Sequence, residues 1–94
     1  MVAKERRLED LTSVGRAFMR DFDLLGIRSI EQLSRRNPEK LYEKLCDLKG
    51  QPQDICCLDV FRAAVAQAKN PRLPAEQCQW WYWSRLRKAR DARS

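Results

Sequence analysis

The chain has 94 residues, 44% hydrophobic and 34% charged, with a formal net charge of +6 and no histidine. That is the length of one small domain, and the composition is that of a folded, soluble protein rather than a disordered one. Lack of histidine excludes Ser–His–Asp and Cys–His catalytic units and imidazole zinc ligands, three glycines leave no nucleotide-binding glycine loop, and no apolar run nears the ~20 residues of a membrane span.

Met1-Val-Ala-Lys-Glu-Arg-Arg7 carries charge without an apolar stretch, which argues against a secretory leader and for a cytoplasmic protein. Leu8 and Leu11 close this charged first segment. After Gly15, the run Ala17, Phe18, Phe22 and Leu25 keeps helical spacing and stops at Gly26, a residue suited to a left-handed C-cap. Ser29-Ile-Glu-Gln32 reads as a capping box that starts a short helix through Leu33. Asn37-Pro38-Glu39 is a second start, with a cap, a proline at the first helical position and an acid near the positive helix end. Leu41, Leu45 and Leu48 then line one face, and Gly50 closes that helix.

Asp54 follows the Gln51-Pro52-Gln53 loop as the cap of the longest helix, where Leu58, Phe61, Val65 and Ala68 recur at three- and four-residue steps. Asn70-Pro71-Arg72-Leu73-Pro74 breaks it. A final segment holds Trp80-Trp81-Tyr82-Trp83, and Ser84 is placed to cap a last, basic helix. No stretch alternates with a period of two. The expected fold is all-α: a single compact domain of about five helices, globular over residues 1–83 with a basic tail over 84–94. Leu8-Glu-Asp-Leu11 is echoed by Leu45-Cys-Asp-Leu48, though such helix-ending patterns are common and coincidence is the better reading.

The charge is unevenly distributed. Residues 84–94 hold five basic residues and one acid, a net +4, and the other 83 residues carry only +2. A field that attracts polyanions therefore comes mainly from the C-terminal end.

The stretch from Leu11 to Ile27 carries the functional reading. Two small polar residues, a branched apolar residue and Gly15 open a helix that ends in Leu25-Gly26-Ile27, so a short, sharp connection precedes it. Gly15 has no Cβ to hold an approaching group away. The free N–H groups of the first helical turn suit an anion such as a phosphate, and Arg16 and Arg20 stand one turn apart beside them. These residues resemble helix-hairpin-helix DNA-binding modules. The resemblance implies amide contacts to the phosphate backbone from Val14, Gly15, Arg16 and Ala17, charge from Arg16 and Arg20, and often a monovalent cation at the hairpin. Ser13 stands where those modules usually have glycine, and Arg16 where they often have proline or lysine.

A wider resemblance spans nearly the whole chain. It is carried by Leu8-Glu-Asp-Leu11, Val14-Gly15, Leu24-Leu25-Gly26-Ile27, Leu41-Tyr42, Leu45-Cys46, the run from Leu58 to Val65, and Trp80-Trp81-Tyr82-Trp83. In these the chain is similar to the pathogenicity locus family of small bacterial proteins, whose members often carry the label mitomycin resistance protein. That family resembles in turn the helix-hairpin-helix C-terminal domains of bacterial competence regulators. The resemblance implies a helix-hairpin-helix, sterile-alpha-motif-like fold.

Cys46, Cys56, Cys57 and Cys78 read as free, small hydrophobes, with Cys57 on the face of Phe61 and Ala64; a four-thiolate zinc site is the competing reading. The Trp80–Trp83 cluster reads either as a stacking platform for unpaired bases or, preferably, as rings folded back to anchor the C-terminus. Asp59 and Arg62 read as an intrahelical ion pair. The sequence thus leads to a non-catalytic protein, without a metal or resident cofactor beyond the monovalent cation that the resemblance allows at the hairpin, that binds DNA without sequence preference. Arg85, Arg87 and Lys88 would support the contact. The alternative is a protein-docking adaptor on the same helical fold.

Overall fold

The computed structural model describes residues 6–93; residues 1–5, on which most of the leader argument rests, and Ser94 of the basic tail lie outside the described residues. Five helices follow in order: α1 (Arg16–Leu24), α2 (Ile30–Ser34), α3 (Pro38–Lys49), α4 (Cys56–Lys69) and α5 (Trp80–Arg93). Single 3-10 turns cover Leu8–Asp10 and Ala75–Cys78, and the described residues contain no strand. The expected all-α fold of about five helices is the one found. Within the described residues, the arm preceding the Leu11–Val14 connection is only one 3-10 turn.

Local chemistry accounts for the helix boundaries. Ser29 Oγ accepts from the Gln32 N–H (3.1 Å), while Gln32 Oε1 reaches past the cap to the Arg28 N–H (2.7 Å). Asn37 Oδ1 accepts from the N–H groups of Glu39 (2.8 Å) and Lys40 (3.3 Å), with Pro38 at the first helical position. Asp54 Oδ1 accepts from the Cys56 N–H at 3.0 Å, which satisfies an orphan donor at the start of α4. Two Schellman motifs end α1 and α3. In the first, Gly26 N–H donates to Asp23 and Ile27 N–H to Phe22; in the second, Gly50 donates to Asp47 and Gln51 to Cys46. Both glycines sit at left-handed φ, 76° and 70°.

The core is organised around α4, which packs against α2, α3 and α5. Its Phe61, Ala63 and Ala64 are fully buried, and Phe61 meets Phe18 edge-on (5.9 Å) and Phe22 at a tilt (5.8 Å). Leu8, Leu11, Leu25, Ile27, Leu33, Leu41 and Leu45 complete the same cluster. Leu48, expected on the buried face of α3, is 52% exposed. The buried stripe runs between Leu41/Leu45 and the half-buried Tyr42/Cys46, and at 100° per residue Leu48 falls on its edge.

The last helix corrects the sequence reading. It starts at Trp80, four residues before Ser84, and runs without a break across the expected boundary between residues 83 and 84. Ser84 is buried and receives a hydrogen bond from Arg87 Nη2 (3.4 Å). The cap comes from a distant residue: Ser13 Oγ accepts from the Trp80 N–H at 3.1 Å.

Candidate functional site

The Leu11–Val14 connection is a four-residue turn closed by Val14 N–H donating to Leu11 O (3.3 Å). Ser13, its third residue, has a φ of 73°, the left-handed conformation such a position often reserves for glycine. The turn is fixed from α4 by Gln67, whose amide is buried. Gln67 Oε1 accepts from the Thr12 N–H (2.9 Å), and its Nε2 donates to Thr12 O (3.0 Å), Ala63 O (3.2 Å) and Cys78 O (3.4 Å). Ser13 Oγ donates to Cys78 O (3.3 Å) as well as accepting from Trp80. Arg6 Nη1 covers the Gln67 carbonyl nearby (2.8 Å), neutralising the C-terminal end of α4. Sequence reasoning missed both Gln67 and the reach of Ser13. A long amide within the alanine- and valine-rich run of α4 was the available signal.

Beyond the turn, Gly15 is extended (φ −95°, ψ −174°), and a Cβ built on it meets no atom within 4 Å. Of the four expected amide donors, Val14 is engaged within the turn, while Gly15, Arg16 and Ala17 have no acceptor among the described residues. All three are exposed, and the first turn of α1 contains no acid. Arg16 and Arg20 are also exposed and form no ion pair with the described residues.

The four acids closest in sequence each have a partner. Glu9 pairs with Arg7 (3.4 Å), and Asp10 accepts from the Arg7 N–H (2.9 Å). Asp21 meets Lys49 at 3.0 Å, and Asp23 lies 4.0 Å from Arg28. The open amides and two unpaired guanidiniums thus form a cationic, donor-rich patch at one end of α1.

The C-terminal cations are divided by α5, which starts at this turn and runs back along α4. Arg85 lies over Trp81, 5.0 Å from the ring centroid, and Lys88 is exposed. Arg87 is committed elsewhere. Its Nε and Nη2 clamp both oxygens of the fully buried Asp59 at 3.0–3.3 Å, and that carboxylate pushes the Arg87 pKa further up. The expected Asp59–Arg62 pair is not formed: Arg62 reaches Glu39 on α3 at 3.2 Å. Asp59 faces α5 instead, because the buried side of α4 is wide enough to include it. Tyr82 and Trp83 are half-buried in edge-to-face contact (5.5 Å), and Trp83 Nε1 donates to Gln77 O (2.8 Å). Trp80 and Trp81 remain 40% and 38% exposed.

The cysteines are dispersed and free: Cys46 late in α3, Cys56 and Cys57 at the start of α4, Cys78 ahead of α5. No cluster of three or more metal-ligating side chains occurs among the described residues. Burial pushes the Cys57 thiol up, and burial together with Asp54 does the same for Cys56, so neither has the lowered pKa of a reactive thiol. Burial and the neighbouring Cys46 likewise raise the Tyr42 phenol, which donates to Gln53 O.

Residues 2–89 match the model of a family described as pathogenicity locus. The chain belongs to that family. It is also 42% identical over 81 residues to the mitomycin resistance protein McrB of Streptomyces lavendulae, across 86% of this chain and 73% of that one. No solved structure matches the chain. In this pathogenicity locus protein, then, the expected amide site and its two arginines come together at α1, and the backbone N–H that opens α5 at Trp80 is bonded to the same turn. No helix among the described residues is long and apolar enough to cross a membrane.

Proposed function

We propose that this protein is a non-catalytic DNA-binding module of the helix-hairpin-helix kind, which seats a backbone phosphate on the turn before α1. The reading rests on one observation: the N–H groups of Gly15, Arg16 and Ala17 are open beside two unpaired arginines, while the nearby acids are engaged. Helix N-terminal amides carry partial positive charge and point at whatever fills the space ahead of them. Gly15 lets a phosphate oxygen approach closely, and Arg16 and Arg20 add charge-assisted contacts. Phosphate contacts set position and affinity without reading sequence.

The test is a titration against DNA of two unrelated sequences at two salt concentrations. Two or three phosphate contacts predict equal affinities and roughly a 10- to 40-fold loss between ~50 and ~200 mM salt. Arg16→Glu combined with Arg20→Glu should weaken both complexes and flatten the salt dependence. No binding at the lower salt overturns the proposal. The second reading, a protein-docking adaptor, is favoured by the exposure of Trp80 and Trp81, and it predicts no salt-dependent affinity for DNA.

A further inference from the structure

We infer that Trp80 and Trp81 form a stacking platform for unpaired bases, so that the preferred nucleic acid is single-stranded DNA beside the phosphate seat. The inference rests on the phosphate reading of the α1 turn and extends it to a class of ligand. Its first support is where the helix that carries the rings begins. The Trp80 N–H is bonded to Ser13 Oγ at 3.1 Å, and Ser13 lies two residues before Gly15, a chain span of at most ~7 Å. Gln67 and Ser13 together tie the turn to the Cys78 carbonyl just ahead of these rings, so seat and aromatic pair are held as one unit. Neighbouring nucleotides of one strand can reach both.

The second support is exposure against a built-in contrast. Tyr82 and Trp83 are half-buried against each other, with Trp83 held by its bond to Gln77 O, whereas the two preceding residues are more exposed, at 40% and 38%. Leaving two large apolar residues about two-fifths exposed forgoes burial that a small core would otherwise use. The third support is charge. No acid stands on α5 before Asp91, Arg85 lies over Trp81, and the unpaired Arg16 and Arg20 flank the adjoining turn. Aromatic faces set among cations complement a polyanion that also carries π-surfaces, and unpaired bases present those surfaces where a closed duplex hides them. Stacking tolerates any base, in keeping with binding that does not depend on sequence.

The test compares three probes on the full chain at ~50 mM salt: a single strand, an abasic strand of equal length, and the blunt duplex. The abasic strand keeps the phosphates and removes the bases. The wild type should hold the single strand tighter than the abasic one by about 5- to 150-fold for each stacked base. Trp80→Ala with Trp81→Ala should abolish that difference while leaving abasic binding unchanged, and the corresponding Phe variants should retain most of it. Arg16→Glu with Arg20→Glu should weaken all three complexes. Equal wild-type affinity for the single and abasic strands overturns the platform and leaves the phosphate seat standing, a comparison that needs no variant to fold. No binding of any probe overturns both. Tryptophan fluorescence that responds to phosphatidylglycerol vesicles but not to the single strand assigns the rings to a membrane surface and overturns the platform.

Discussion

Ser13 is the only residue other than glycine at positive φ among the described residues, and its hydroxyl makes two hydrogen bonds to the chain just ahead of α5. A left-handed conformation costs a side-chain-bearing residue about 1–2 kcal/mol, and each hydrogen bond returns about 0.5–1.5 kcal/mol. Ser13→Ala keeps the strain and loses both bonds, so it should destabilise the fold by about 1–3 kcal/mol in urea unfolding. Ser13→Gly loses the same bonds but relieves the strain, so it should lie within about 1 kcal/mol of the wild type. An alanine variant as stable as the wild type would show that the hydroxyl ties contribute nothing. Gly15 behaves differently. Its φ of −95° suits any residue, and an added Cβ meets open space. Gly15→Ala should therefore stay within about 1 kcal/mol of wild-type stability, the scale of an N-cap change, while weakening the proposed DNA contact by holding the phosphate away. Equal loss of stability and of binding would mean that the glycine serves the fold rather than the ligand.

Apart from α1, the helix starts in this chain are met by single side chains, and Asp54 is the one whose contribution follows pH. Its carboxylate accepts from the Cys56 N–H, and that bond holds its pKa below the usual carboxylate range. A carboxyl group with a pKa depressed on folding stabilises the protein above its unfolded pKa of about 3.9 and loses that contribution as pH falls through the folded value. Asp54→Asn should therefore melt below the wild type at neutral pH, and the gap should narrow on acidification below about pH 4, read from parallel melts. The caps at Ser29, Asn37 and Asp54 and the glycine stops at Gly26 and Gly50 were all legible in the sequence, because each is decided within a few residues of chain. Ser84 misled because a distant hydroxyl, that of Ser13, satisfies the start of α5 and lets the helix begin earlier. Asp59 misled because a helix interior offers Arg62 as the local partner, while the packing of α5 offers Arg87 with both carboxylate oxygens in reach. The echo of Leu8–Leu11 in Leu45–Leu48 has no structural counterpart: one is a 3-10 turn and the other the body of α3. At the candidate site, the amides and arginines belong to one local segment and could be read, but Gln67 acts across 55 residues and could not.

At the scale of the molecule, α4 is a central rod with one buried polar residue near each end. Gln67 holds the turn before α1 and the carbonyl ahead of α5, and Asp59, eight residues or ~12 Å back along the helix, holds Arg87 further along α5. The aromatic and basic helix is thus fastened to α4 at two points, which fixes where Trp80 and Trp81 stand relative to Gly15. The two fastenings differ in risk. An amide that loses its partner leaves unsatisfied dipoles, whereas Asp59 is fully buried and would be left as an uncompensated charge. Arg87→Ala should therefore cost about 3–5 kcal/mol, a large part of the 5–15 kcal/mol that holds a domain folded. Adding Asp59→Leu to Arg87→Ala should recover much of that loss, since an apolar replacement removes the stranded charge. Denaturant unfolding of the two variants separates a structural Arg87 from one that serves the proposed DNA contact. If Arg87→Ala unfolds as the wild type does but lowers affinity for DNA with a shallower salt dependence, its guanidinium belongs with Arg16 and Arg20 in the proposed phosphate contact. The clamp on both Asp59 oxygens leads us to expect the opposite: a weakened fold that the second substitution rescues.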